Sequence, residues 1–150
     1  MTGVQTCALP ISLTLALSLH ASFVARAFAG DIPQTTEIIK KAIQHKGYAL
    51  VDILQPCVTF NRVNTFAWFK EKTYYMETTH DAKNREMAYR RASESERLPL
   101  GIFFAEEGRP TFHESVGVFQ DDATPLFKRT RDRDRLRALI ETYGGGVGKK

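Results

Sequence analysis

The chain has 150 residues, of which 43% are hydrophobic and 25% charged, with a formal net charge of +4. That is enough apolar material to bury the core of one domain, or of a piece of one, and too mild a charge to indicate nucleic acid by itself. Its two cysteines, Cys7 and Cys57, make neither a disulfide framework nor a self-contained zinc site, and such low usage fits a reducing compartment.

Ala8 to Leu19 is apolar, and Ala27-Phe28-Ala29-Gly30 resembles a small-residue cleavage site. No Lys or Arg precedes Arg26, so the basic start of a secretory leader is missing. The run is also shorter than the roughly 20 residues a membrane span needs. Met1-Thr2-Gly3-Val4-Gln5-Thr6-Cys7-Ala8-Leu9-Pro10-Ile11 instead resembles a short-read sequencing adapter translated in one frame. Residues 1–11 are therefore set aside as non-biological, with Ser12 as the junction, which leaves Cys57 as the cysteine to explain.

Ser22 to Arg26 reads as a short strand. Asp31 is a good N-cap and Pro33 suits a first helical turn, where its missing N–H costs nothing. Ile38, Ile39, Ala42 and Ile43 recur at helical spacing, and Gly47 is a stop. Tyr48 to Leu54 is nearly continuously apolar, the pattern of a strand buried on both faces. Strand, helix and strand make a βαβ unit, so the expected class is α/β, the end of an open, mostly parallel sheet. Asn64 is expected to cap a short helix carrying Phe66, Trp68 and Phe69, and Asp81 a helix from Ala82 to about Ala92. Leu100 to Phe104 reads as extended after Pro99, residues 105–125 as surface loops, and Arg131 to Thr142 as a charged helix before a disordered glycine-rich tail.

Gln55-Pro56-Cys57-Val58-Thr59-Phe60-Asn61 leaves the carboxyl end of the second strand, the edge of an open α/β sheet where ligand loops gather. On residue physics alone Cys57 reads as a buried cysteine packed as a small apolar residue. The functional alternative is a thiolate ligand, which cannot hold a cubane cluster alone because about four protein ligands are needed. Phe60 and Trp68 read as core residues, with shielding of a cluster as the alternative.

This proline-cysteine loop resembles that of the β subunits of two-subunit 2-oxoacid:ferredoxin oxidoreductases. The likeness extends over Phe23 to Asp31, Lys40 to Gly47, Thr65 to Lys70 and Leu98 to Phe103, and spans about residues 13–115. It implies a thiamine-diphosphate-binding domain truncated upstream (12–56), then the C-terminal domain of the β subunit, of irregular α+β character (57–128), and a charged helix with a disordered tail (129–150). It further implies that Cys57 is the fourth ligand of a [4Fe-4S] cluster. The implied activity is oxidative decarboxylation of a 2-oxoacid, of the 2-oxoglutarate or pyruvate class, to acyl-CoA. The implied cofactors are thiamine diphosphate with Mg2+ and the cluster; the implied partners are an α subunit, ferredoxin and coenzyme A, in the cytoplasm, with neither nucleic acid nor membrane. The other three cluster cysteines and the Gly-Asp-Gly of the thiamine site have no counterpart in this sequence. No catalytic residue is therefore assigned, and the piece alone is expected to be inactive.

His20, His45, His80 and His113 show no metal-ligand spacing and read as structural or solvated. Asp121-Asp122 reads as a solvated pair. Lys128, Arg129, Arg131, Arg133, Arg135 and Arg137 interleave with Asp132 and Asp134, which favours an exposed charged helix. Two other readings stay open: a cofactor-free α/β binding module using that basic helix on an acidic partner, and an iron-free thiamine-diphosphate decarboxylase.

Overall fold

Strand β1 (Phe23–Phe28) is buried along its whole length. That requires a neighbour on each edge and cover on each face. In the computed structural model, which describes residues 4–130 and 132–144 (4–10 as backbone only), both are supplied. On one edge β1 pairs in parallel with β2 (Ala49–Leu54), from Phe23 opposite Ala49 to Phe28 opposite Leu54. On the other it pairs antiparallel with β4 (Leu98–Ala105), which itself pairs in parallel with β3 (Thr73–Tyr75). The sheet order is β2-β1-β4-β3, open and with two of its three pairings parallel, as the α/β class predicts. The register of β4 shifts between Val24 and Ala25, and this bulge lets both Phe103 and Phe104 join the cluster around Val24.

Helix α2 (Ile32–Gln44) connects β1 to β2 and covers one face, with Ile38 and Ala42 packed over Phe23, Ala25 and Ala27. Asp31 caps it by accepting from the Gln34 N–H at 3.1 Å, and Pro33 lies in its first turn. The helix ends at Gln44, and Gly47 turns the chain into β2 at φ +115°; a Cβ there would lie 2.3 Å from the Ser22 Oγ.

The other face is covered by α1 (Val4–Ser18) and α4 (Arg85–Ala92). Leu13, Ala16 and Leu17 pack with Ala88, Ala92, Val24 and Phe103. The helix α1 was not expected: its backbone runs through Ser12, and Ile11 is exposed while Leu13 is fully buried. Arg85 closes its C-terminal end, donating to the Leu17 carbonyl at 3.0 Å and the Ala21 carbonyl at 3.4 Å while stacking on the Phe104 ring.

Several local expectations change. Strand β2 is the edge of the described sheet, and only Leu54 in it is buried, so it is not covered on both faces. The caps of the two later helices sit closer to them than expected. Thr65, not Asn64, caps α3 (Phe66–Lys72), accepting from the Trp68 N–H at 3.3 Å. Asn84, not Asp81, caps α4, accepting from the Met87 N–H at 3.0 Å, whereas Asp81 holds the preceding turn through the Lys83 N–H. Residues 106–125, after the end of β4 at Ala105, are loops interrupted by one helical turn, α5 (Phe112–Ser115), and a 3-10 turn at Gly117–Phe119.

The chain divides into two units, Met1–Ser115 and Val116–Lys150. In the second, Arg129 gathers a loop by donating to the carbonyls of Thr124 and Val118, each at 2.8 Å, and to that of Asp122. Helix α6 (Arg133–Gly144) follows, with no buried residue. The glycine-rich tail lies outside the described residues beyond Gly144.

Candidate functional site

The carboxyl ends of β1 and β2 open onto the segment that carries Cys57. Beneath it lies an apolar floor: Phe28 and Leu54 from the strand ends, Leu98 and Leu100 from β4, and Phe69 from α3. Phe28 stacks against Phe66 and Phe69 at centroid distances of 6.0 and 5.9 Å, and Trp68 meets Phe69 edge-on at 5.0 Å. Trp68 therefore packs as a core-side residue. The turn out of β1 passes so close to this floor that a Cβ on Gly30 would stand 2.3 Å from the Phe28 ring.

Cys57 itself is exposed and free, which corrects the expectation of a buried packing cysteine. Phe60 is 92% exposed and is likewise no core residue. The backbone amide of Phe60 above all draws the Cys57 thiol below its ordinary value, opposed by desolvation and helped less by the amides of Thr59 and Asn61, while the Asn61 N–H donates to the Cys57 carbonyl at 3.0 Å. A thiol in reach of solvent and cradled by amides suits a thiolate ligand. Among the described residues no three His, Cys, Asp or Glu side chains converge as a metal site. Any cluster on Cys57 draws its other ligands from elsewhere.

Two charged residues within the strands did not show themselves as partners in the sequence. Arg26, at the centre of β1, is fully buried and donates from Nε to Asp52 of β2 at 2.9 Å, its guanidinium also facing the Phe103 ring. They are register partners. One charge at the matching position of each of two apolar strands was the available signal. Asp31, besides capping α2, accepts from the Tyr75 hydroxyl of β3, and that bond holds its carboxyl below the usual range while raising the phenol.

Within the first unit these histidines have partners of their own: His45 lies 2.8 Å from the Ser22 Oγ, His80 lies 2.9 Å from the Phe103 carbonyl, and His113 meets the Phe112 ring edge-on. Asp122 pairs with Arg129 at 3.1 Å. On α6, Leu136, Leu139, Ile140 and Tyr143 are exposed along with the arginines. No helix among the described residues is long and apolar enough to cross a membrane.

Comparison with known proteins settles the family. A family profile for the C-terminal part of the pyruvate ferredoxin oxidoreductase beta subunit matches residues 57–121, beginning at the cysteine. A 2-oxoacid:ferredoxin oxidoreductase subunit beta from Sulfolobus sp is 33% identical over 144 residues, covering 86% of this chain and 47% of the relative. The chain belongs with the 2-oxoacid:ferredoxin oxidoreductase β subunits. Subunit beta of 2-oxoacid:ferredoxin oxidoreductase 2 from Aeropyrum pernix is 35% identical over 114 residues, covering 68% of this chain and 37% of that relative. The chain thus spans about half or less of the length of these β subunits. The fold agrees: the 2-oxoglutarate:ferredoxin oxidoreductase from Magnetococcus marinus, solved with 2-oxoglutarate, coenzyme A and succinyl-CoA bound, superposes with a TM-score of 0.64 at 27% identity, over 92% of this chain and 40% of that one.

Proposed function

We propose that this chain forms the C-terminal part of the β subunit of a 2-oxoacid:ferredoxin oxidoreductase and contributes Cys57 as one ligand of a [4Fe-4S] cluster. The enzyme so assembled would decarboxylate a 2-oxoacid oxidatively to the acyl-CoA and reduce ferredoxin. We favour 2-oxoglutarate among the 2-oxoacids, the ligand named for the Magnetococcus relative. The observation that carries this reading is the exposed, amide-cradled Cys57 at the first residue of the matched family segment. Thiamine diphosphate and Mg2+ would be held by residues outside this chain, and the α subunit, coenzyme A and ferredoxin would be the partners, in the cytoplasm.

A bound [4Fe-4S] cluster passes electrons one at a time. The part of this chain is to present an accessible thiol whose deprotonation the neighbouring amides favour. Leu54 and the aromatic floor anchor the loop, the backbone N–H groups offset negative charge at the sulfur, and β1 and β2 fix the loop's origin.

The test is a long-read sequence of the source DNA across the codon for Leu13. An upstream frame encoding a Cys-x-x-Cys pair, a third cysteine and a Gly-Asp-Gly motif supports the proposal and marks residues 1–11 as adapter-derived. A frame that begins at Met1, or continues into unrelated sequence, overturns both.

A further inference from the structure

The composition of β2 fits the interior of a sheet, and β2 stands at the edge of the described one. Tyr48 to Leu54 is apolar apart from Asp52, yet only Leu54 is buried and Ile53 is 40% exposed. On its inner side the carbonyls of Tyr48 and Leu54 accept from the N–H groups of Phe23 and Ala29 at 3.1 and 3.0 Å. Backbone groups of successive residues point to opposite sides of a strand. The even positions therefore face β1, and the N–H and C=O groups of Ala49, Val51 and Ile53 face the open edge. Such an edge is a template for a further strand.

The helices decide which strand. Helix α2 joins β1 to β2 across one face, with Ile38 and Ala42 over Phe23, Ala25 and Ala27. Helix α1 lies on the other face, where Leu13 and Leu17, both beyond the segment set aside, pack with Val24 and Phe103. It reaches β1 through residues 19–22, the length of an ordinary αβ loop. It thus stands where the helix of a crossover into β1 stands. Parallel crossovers are right-handed almost without exception. A crossover with its helix on the α2 face moves from β1 towards β2, so one with its helix on the opposite face moves the other way. The strand before α1 then lies on the β2 side of β1. The adjacent place there is taken by β2 and the other edge of β1 is closed by β4, which leaves the open edge of β2.

We propose that the strand immediately preceding α1 in the complete β subunit pairs in parallel with the open edge of β2, through Ala49, Val51 and Ile53. This rests on the reading of the chain as the C-terminal part of a longer β subunit; relatives of which it covers 47% and 37% have the length to supply the strand. β2 becomes an interior strand, as its composition requires, and the loop that leaves it rises from within the sheet instead of at its rim.

The experiment uses the intact enzyme, its complete β subunit bound to the α subunit, and reads hydrogen exchange residue by residue. The N–H groups of Leu50, Asp52 and Leu54, on the β1 side, are the reference. Those of Ala49, Val51 and Ile53 are expected to exchange as slowly, at least about a hundredfold slower than open amides. Val51→Cys is combined with single cysteines stepped through the segment before α1. On oxidation a disulfide is expected within the strand that immediately precedes α1, because paired strands bring facing Cα atoms within the roughly 4.4–6.8 Å that the bond needs. Fast exchange at Ala49, Val51 and Ile53 beside slow exchange at the reference positions overturns the proposal. Protection lost on dilution, or on removal of the α subunit, also overturns it, by assigning the edge to a second copy or to that subunit. A disulfide formed only with some other strand does the same. If the source DNA encodes no segment upstream of Ser12, the reading of the chain as part of a longer subunit fails, and the proposal with it.

Discussion

Replacing Asp52 by Asn isolates what the buried ion pair does for the sheet. The Arg26 side chain is fully buried and that of Asp52 is 19% exposed, with the pair closed at 2.9 Å. Asp52→Asn keeps the volume and a carbonyl acceptor but removes the Asp52 countercharge from a fully buried guanidinium. Breaking such a pair from one side costs about 3–5 kcal/mol, whereas replacing both members by apolar residues is often neutral or stabilising. Domains of this size hold about 5–15 kcal/mol in all, so the single change takes a large share. The expected order is therefore Asp52→Asn well below the parent, with Arg26→Met/Asp52→Leu much closer to it. Urea unfolding of the chain, followed by far-ultraviolet circular dichroism, gives each value from the midpoint and slope. A loss under about 1 kcal/mol for Asp52→Asn, or a double variant no better than the single one, would refute the claim that loss of the Asp52 countercharge is the cause.

Three further outcomes are expected. Phe103→Ala empties a fully buried site and should cost about 3–5 kcal/mol in the same urea experiment, while Phe60→Ala, at a site 92% exposed, should stay within about 0.5 kcal/mol. Asn84→Ala should cost about 1 kcal/mol and Asp81→Ala less, because the first caps α4 and the second only shapes the turn before it; equal losses would contradict the cap assignment. The bond between Tyr75 and Asp31 should make stability depend on pH at both ends. Asp31 is lowered in the folded chain, so its contribution is present above the ordinary value of 3.8 and fades as pH falls through the lowered one. Tyr75 is raised, so its contribution is full below 10.0 and fades as pH rises through the raised value. Thermal melts of the parent and Tyr75→Phe should therefore converge at both extremes, and parallel curves throughout would count against the link.

Much of the frame around the site was legible from the residues in order. Asp31 followed by Pro33, apolar residues at helical spacing, and a second apolar run already described the β1-α2-β2 unit, because capping, helix initiation and side-chain periodicity act within a few residues of one another. The loop motif around Cys57 was legible in the same way and led to the family. Helix α1 was hidden because its first residues were set aside and its apolar stretch has no strong one-sided pattern; it is the buried faces of α4 and the sheet that make use of Leu13 and Leu17. β3 has three residues, too few to show an alternation, and exists through its pairing with β4.

What the sequence by itself determined was local: the βαβ unit, and the proline-cysteine loop that follows it. What only the tertiary structure decided was environment. It exposed Cys57 and Phe60, placed β2 at an edge, and buried Arg26 against Asp52. Exposure and pairing are set by what lies across the sheet, from residues distant in the chain, and no window of neighbouring residues contains that information.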